Sequence, residues 1–334
     1  VEKKASLGRV SNDSFIFLAM FAVLAALFLT ASLSVPRFFN VGTLSNLLTQ
    51  QAELIILAIG VTFLLISGYY DLSIGGIVGM GAVLSAWFCQ SQTGAGWALA
   101  RGLGMPYGLA VALTLLACTS IGAINAFFIT RMRVASVIIT LGTMALSRGI
   151  ALIITQGAQR QTGLPAAFGE LGKFSLIGAV NASVIIMIVL VIGALIVEKK
   201  TVFGRRTYNI GANPVAAKLS GIRVGTHVSI LYIANAFLAG LVGVILGSIH
   251  NAGIGNLGTG FEFDALVITV LGGTSVMGGF GSVAYAVVGA FILGIVSSSL
   301  NMLGLSPDVQ TIVKGAVTLV AILAQRFALD RRRG

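Results

Sequence analysis

Asn46, Gln50 and Glu53 recur at helical spacing, so they form one polar stripe along an otherwise apolar segment. Two neutral amides beside a single carboxyl suit hydrogen bonding to a hydroxyl-rich solute that carries no charge. Such a stripe is too costly against lipid, so it either lines a water-filled path or packs between helices. Asn125, in IGAINAFF, is a second path candidate, with helix–helix hydrogen bonding as its other reading. Glu262 and Asp264, in GFEFDALV, open another apolar run, where the helix dipole favours acids. The preceding NAGIGNLGTG can wrap near the mouth of a pathway, which adds Asp264 to the path candidates.

Two further constellations are mechanical rather than chemical. In SGYYDLSIGG, Gly68 and Gly75 flank Asp71 and Ser73 in a tight turn between two apolar runs. The Asp71 carboxylate is placed to cap the next helix through the amides of Ser73 and Ile74, and Ser73 to do so for Gly75 and Gly76. A gating role, or a subunit contact, is the alternative. In GANPVAAKLSGI, Asn213 suits an N-cap, Pro214 the first helical position and Gly221 the exit. That short helix carries small residues, Ala216, Ala217 and Ser220, with Leu219 and Ile222 as apolar knobs. It suits docking into a groove on another protein, or lying on a membrane surface, or serving as an ordinary loop.

What is missing narrows the chemistry. The sequence holds no paired carboxylates, no nucleophile with a base and no Walker loop, and its glycines lack the strand–helix context of a nucleotide fold. Two histidines and two cysteines, Cys89 and Cys118, without ligand spacing, exclude a histidine-rich or thiolate metal site. No metal, cofactor or catalytic residue is therefore expected on this chain.

These residues sit in a chain that is apolar from end to end. Hydrophobic residues make up 57% of 334, charged residues 9%, and the mean hydropathy is +1.00. Soluble domains carry about 25% charge, so a water-facing surface cannot be covered. The reading is an all-α polytopic membrane protein with lipid as solvent for its outer faces. Forty-three glycines against five prolines point to close helix packing, with glycine marking the breaks. The net charge of +11 reads as topology signals and contact with anionic lipid, not nucleic acid.

Ten spans can be drawn, at about 15–34, 44–67, 74–90, 105–129, 136–155, 180–197, 227–249, 262–279, 282–303 and 309–327, the eighth interrupted by glycines. The first is too long for a signal peptide and is read as a retained helix. With the N-terminus inside, fifteen basic residues fall on the inner side. They include Lys3, Lys4, Arg9, Arg131, Arg133, those of the 198–226 loop and the tail Arg331, Arg332 and Arg333. Only Arg37, Arg101, Arg160 and Lys173 fall outside. Both termini are therefore placed in the cytoplasm. Residues 1–334 read as one transmembrane domain with a basic inner loop at 198–226 and an outer loop at 156–179. LLISGYYDLSIGG and LGGTSVMGGFGS both sit at inward turns, as a trace of duplication or as a chance likeness of glycine-rich turns.

The chain resembles the sugar permeases of bacterial ABC importers, the ribose, xylose, arabinose and galactose group, which includes autoinducer-2 and inositol permeases. The likeness runs over most of the chain. It is strongest in AIGVTFLLISGYYDLSIGGIVGM at 58–80, TLGTMALSRGIALIIT at 140–155, GRRTYNIGANPVAAKLSGIRV at 204–224 and FEFDALVITVLGGTSVMGGFGSVAYAVVGAFILG at 261–294. The tail LGLSPDVQTIVKGAVTLVAIL at 303–323 fits as well. Where the family often has Gly-Ile-Asp-Leu-Ser, this chain keeps Asp71, Leu72 and Ser73 but carries the bulky pair Tyr69–Tyr70, which blurs any guess at one sugar.

The resemblance implies a translocation subunit of the bacterial inner membrane that imports a monosaccharide or similar polyol. It would pair with a second permease, either a copy of itself or a close paralogue. A cytoplasmic ATPase holding ATP and magnesium, and a periplasmic substrate-binding protein, would complete the importer. It also assigns ATPase coupling to Gly211, Ala212, Asn213, Pro214, Ala216, Ala217, Ser220 and Gly221. The rival is a stand-alone ion-coupled transporter of a small polar solute, for which Glu53 would carry the coupling proton. The absence of a second ionisable partner counts against it.

Overall fold

A computed structural model describes residues 18, 20–91, 101–159, 162–175, 180–306, 308–317 and 319. The helices are α1 (Met20–Ser34), α2 (Val41–Ile66), α3 (Ile74–Cys89), α4 (Tyr107–Thr130), α5 (Ser136–Thr155), α6 (Ala166–Lys173) and α7 (Ala182–Lys200). They continue as α8 (Val202–Ala212), α9 (Pro214–Leu219), α10 (Val224–His250), α11 (Phe261–Leu271), α12 (Val283–Met302) and α13, residues 308–317. Six of these are long and apolar enough to cross a membrane, and α1 and α3 are shorter apolar helices. The protein is thus an all-helical, multi-pass membrane protein, as the composition requires. Lys3, Lys4, Arg9, Arg160, the basic tail and the C-terminal part of the tenth span lie outside the described residues.

Burial sorts the helices. In α2, 89% of the most apolar window is buried, against 28% in α5. An all-round apolar helix of the first kind belongs at the centre of a bundle. Around α2 stand α10, α12, α7 and α11, while α10 also runs against α3 and α4. Those contacts are made by small residues. A Cβ on Gly243 would lie 2.4 Å from the Val78 carbonyl oxygen, and one on Gly240 would strike Cys118. With lipid offering no hydrophobic drive between helices, such close backbone approach is what holds α10 on α3 and α4. Cys118 is a buried free thiol within this packing, and Cys89 is one packed with Ala86, Ala110 and Phe168.

The structure locates the glycine interruption of the eighth span and corrects two expectations about loops. The eighth span is not a continuous helix over 262–279: α11 ends at Leu271, and 272–281 is a glycine-rich turn. Eleven residues rise only about 16 Å, half of the hydrocarbon layer. The other half is taken by 251–260, which lies without helix along α3. A Cβ on Gly79 would meet the carbonyls of Gly255 and Leu257, and one on Gly75 that of Gly258. The glycines of α3 thus form a trough that covers irregular backbone with protein instead of lipid. The 156–179 loop contains α6, pinned where Ser248 Oγ donates to the Phe168 carbonyl and accepts from the Gly172 amide. The basic 198–226 loop holds two helices, α8 and α9, where one was expected.

The packing yields a paired test. Gly243→Val should destabilise the purified protein by about 1–3 kcal/mol through overpacking against α3. Gly142→Val, where a Cβ meets nothing within 4 Å, should move the melting temperature little. Equal melting of the two variants would contradict the α3–α10 packing.

Candidate functional site

At the end of the bundle that carries α8 and α9, the chain between α2 and α3 makes the turn flagged in the sequence. Gly68 takes φ +82, which a Cβ would resist, and lets the chain turn back into the bundle. Asp71 is 4% exposed and fully engaged. Its Oδ1 accepts from the Ser73 amide at 2.9 Å and the Ser73 hydroxyl at 2.5 Å, and its Oδ2 accepts from Asn235 Nδ2 at 2.9 Å. The Ser73 hydroxyl accepts from Asn125 Nδ2 at 3.0 Å, and Asn125 Oδ1 accepts from Thr143 Oγ1 at 2.8 Å. One buried carboxylate therefore ties α3 to α4, α5 and α10.

Two sequence readings change here. Ser73 makes no side-chain cap bond to the amides that follow it, and Asp71 reaches Ser73 but not Ile74. Asn125 is fully buried with both ends of its amide engaged, so it belongs to helix–helix bonding and not to a path. Asn235 was passed over in the sequence, although a single amide in the run LYIANAFLAG signals a partner at depth. Tyr70 and Tyr232 were missed as well. The Tyr232 hydroxyl donates to the Tyr70 carbonyl at 2.8 Å, Tyr69 meets the Tyr232 ring edge-on, and the Tyr70 hydroxyl donates to the Val276 carbonyl at 2.5 Å. The tyrosine pair is part of the turn's anchorage.

That last bond leads to the second turn. The Gly279 amide donates to the Ile66 carbonyl at 2.8 Å, so 67–73 and 272–281 meet directly. The C-terminal end of α8 is wedged against both. A Cβ on Gly211 would fall 1.8 Å from the Ile66 carbonyl oxygen and 2.6 Å from the Gly279 nitrogen. The Tyr208 hydroxyl donates to the Gly281 carbonyl at 2.7 Å. Elsewhere α8 is fixed to α10 by Thr207 and His227, 2.8 Å apart, and by Phe203 stacked on the His227 ring at 4.1 Å. Glu198, at the end of α7, accepts from the Val283 amide that opens α12.

Beyond Gly211 the chain turns outward into α9 as the sequence indicated. Asn213 Oδ1 accepts from the amides of Val215 and Ala216, both at 3.0 Å, Pro214 opens the helix and Gly221 leaves it at φ +79. Only Ala217 is buried; Ala216 and Ser220 are exposed, and Val215 and Leu219 stand 67% and 84% exposed. A six-residue helix with so little packing is held by its caps and presents an apolar ridge.

The remaining path candidates are not gathered into one site. Asn46 and Gln50 lie exposed on α2, and Glu53 is buried one turn further along the same face. Asp264 is paired with Lys314 at 3.0 Å, joining α11 to α13. Glu262 sits beside Gly75 in the α3 trough, 4% exposed, with Oε2 lacking a hydrogen-bond partner, as do Nε and Nη2 of Arg148 on α5. Ionisable groups within the bundle thus number more than Glu53. The sequence argument against ion coupling, which counted Glu53 alone, does not stand by itself.

A glycine-packed bundle of apolar helices, with a helix pair wedged against two of its interhelix turns, has the build of a membrane transport protein. Comparison places it. The chain matches the family described as the branched-chain amino acid transport system permease component over residues 43–322, and it belongs to that family. It is 32% identical over 324 residues to a ribose import permease of Haemophilus influenzae, covering 96% of this chain and 95% of that one. It is 34% identical over 308 residues to the ribose import permease of Escherichia coli K12, covering 91% and 92%. With the galactose/methyl galactoside import permease of the same strain it shares 32% over 303 residues, covering 89% and 90%. No solved structure matches the chain. The resemblance drawn from the sequence motifs therefore holds.

The Asp71 cluster makes a directional prediction. Asp71→Asn keeps the acceptor for Ser73, and Asn235 can turn its free Oδ1 toward the new amide. Asp71→Ala instead strands the buried donors of Ser73 and Asn235, each at about 1–3 kcal/mol. Thermal melting should show Asp71→Ala falling well below Asp71→Asn. Equal losses would mean that charge, not hydrogen bonding, is what the cluster needs.

Proposed function

We propose that this permease is the membrane-spanning subunit of an ATP-driven, binding-protein-dependent importer of a neutral monosaccharide or similar polyol. The observation that carries this is the likeness to ribose and galactose import permeases over about nine-tenths of the chain. The same likeness favours it over the ion-coupled reading. The chain works in the inner membrane of a bacterium, with α8, α9 and both termini on the cytoplasmic side, in keeping with the positive-inside count. It performs translocation only. ATP and magnesium belong to a partner ATPase beneath it, a periplasmic binding protein delivers the solute, and a second permease copy or paralogue completes the pore.

The mechanism follows from the wedge. The ridge of Val215 and Leu219 on α9 enters a groove of the ATPase. Closure of the ATPase on ATP shifts α8, whose Gly211 end bears on Ile66 and Gly279. The turns at 67–73 and 272–281 move as one, and the helices they join, α2 with α3 and α11 with α12, change the access of the pore. Exposed Asn46 and Gln50 face the partner permease across the path, since an exposed amide pair is too costly against lipid. Glu53 behind them serves as a hydrogen-bonding group to solute hydroxyls.

Ala216→Arg places bulk and charge on exposed α9 without touching the bundle. The variant should insert and melt normally, while solute uptake and substrate-stimulated ATP hydrolysis both fall at least about tenfold, a loss near 1.4 kcal/mol of coupling. Normal uptake with normal ATPase capture would remove α9 from the coupling path.

A further inference from the structure

Beside the wedge is a pocket of about 1180 Å³. It lies between the α4–α5 turn, α9 and the start of α10. Arg131, Arg133, Lys218 and Arg223 line it, and no acidic side chain does so among the described residues. None of the four cations has an ion-pair partner among the described residues. The first turns of α5 and α10 open on the same space at Ser136 and Val224, and neither has a side-chain cap. The dipoles of these two helix starts add partial positive charge to that of the cations.

The apolar surface of the helices that form the pocket points to the occupant. The same three long helices turn large apolar side chains outward: Phe127 of α4 at 56% exposed, Ile138 of α5 at 66% and Ile230 of α10 at 48%. An anion seated among the cations can therefore carry hydrocarbon that runs on along the lipid-facing surface. The docking ridge of α9 is a separate feature, because Val215 and Leu219 do not line the pocket. We propose that this pocket binds the phosphate of an anionic phospholipid headgroup, with its acyl chains along Phe127, Ile138 and Ile230. Basic pockets between spans on the positive side of a membrane protein have the charge complementarity for this. Gly68 and Tyr69 also line the pocket, so the headgroup rests against the turn that the wedge moves. The inference rests on the multi-pass assignment and leaves the identity of the solute aside.

Native mass spectrometry of the full-length permease, with lipid added to the micelle, tests it. Dioleoylphosphatidylglycerol should be retained at least about tenfold more tightly than dioleoylphosphatidylcholine, and millimolar inorganic phosphate should not displace it. Removing each cation should weaken retention roughly fivefold. Arg131→Gln, Arg133→Gln and Arg223→Gln combined should therefore abolish the preference, whereas Lys199→Gln with Lys200→Gln should keep it. Equal retention of the two lipids, or displacement by phosphate alone, would overturn the proposal. So would loss of ATPase capture in the triple variant with lipid retention unchanged, which would make the pocket a protein-docking surface. A photoactivatable phosphatidylglycerol on the unmutated protein needs no variant to fold. Its cross-links should map to 129–136 and 218–229, and mapping elsewhere would reject the site.

Discussion

Backbone polar groups at membrane depth have no water to satisfy them, and this constraint shapes the molecule. Where helices are continuous the ladder satisfies itself. Along 251–260, and at the turns 67–73 and 272–281 that close the end of the bundle, it does not, and each is answered locally. The α3 glycines cover 251–260. Asp71, Ser73, Asn125 and Asn235 hold the chain after 67–70, and the Ile66 carbonyl takes the Gly279 amide. An unsatisfied group there would cost several kcal/mol, so the breaks persist only because the partners are built in.

The same arrangement makes the breaks usable. A continuous helix transmits little but rigid tilt, whereas a turn held by a few hydrogen bonds has alternative arrangements within a few kcal/mol. Both turns sit where α8 ends, and α8 is tied to α10 through Thr207 and His227 and to the second turn through Tyr208. A push arriving through α9 cannot move one turn and spare the other. The basic pocket against Gly68 and Tyr69 places lipid charge beside the same moving part.

Much of this was legible in the sequence, for reasons that can be named. Membrane class followed from apolar length. The α9 cap followed from Asn213-Pro214 and its exit from Gly221, because these residues act on their own neighbours. The helix break at Leu271 was signalled by glycines but not located, since glycine permits a break without fixing its place. The path candidates fared less well. Asn125 and Glu53 were both candidates for a path, yet the Asn125 amide is engaged by Ser73 and Thr143. Asp264 and Lys314 lie fifty residues apart and pair only through the fold. Partnership of that kind is a property of packing, which periodicity does not encode. Tyr70 was read as a departure from a familiar motif, while its hydroxyl bonds a carbonyl 206 positions away.

The central claim is that 272–281 is a shared anchor, loaded by α8 and tied to the 67–73 turn. Its most direct test is a double-mutant cycle on coupling, read as ATP hydrolysed per solute imported by the assembled transporter. Tyr208→Phe removes the α8 tie to Gly281, and Tyr70→Phe removes the tie of the 67–73 turn to Val276. If one anchor transmits both loads, the effects should be non-additive by at least about 0.5 kcal/mol, the double variant coupling little worse than either single one. Additivity within about 0.3 kcal/mol would show two independent contacts and contradict the account.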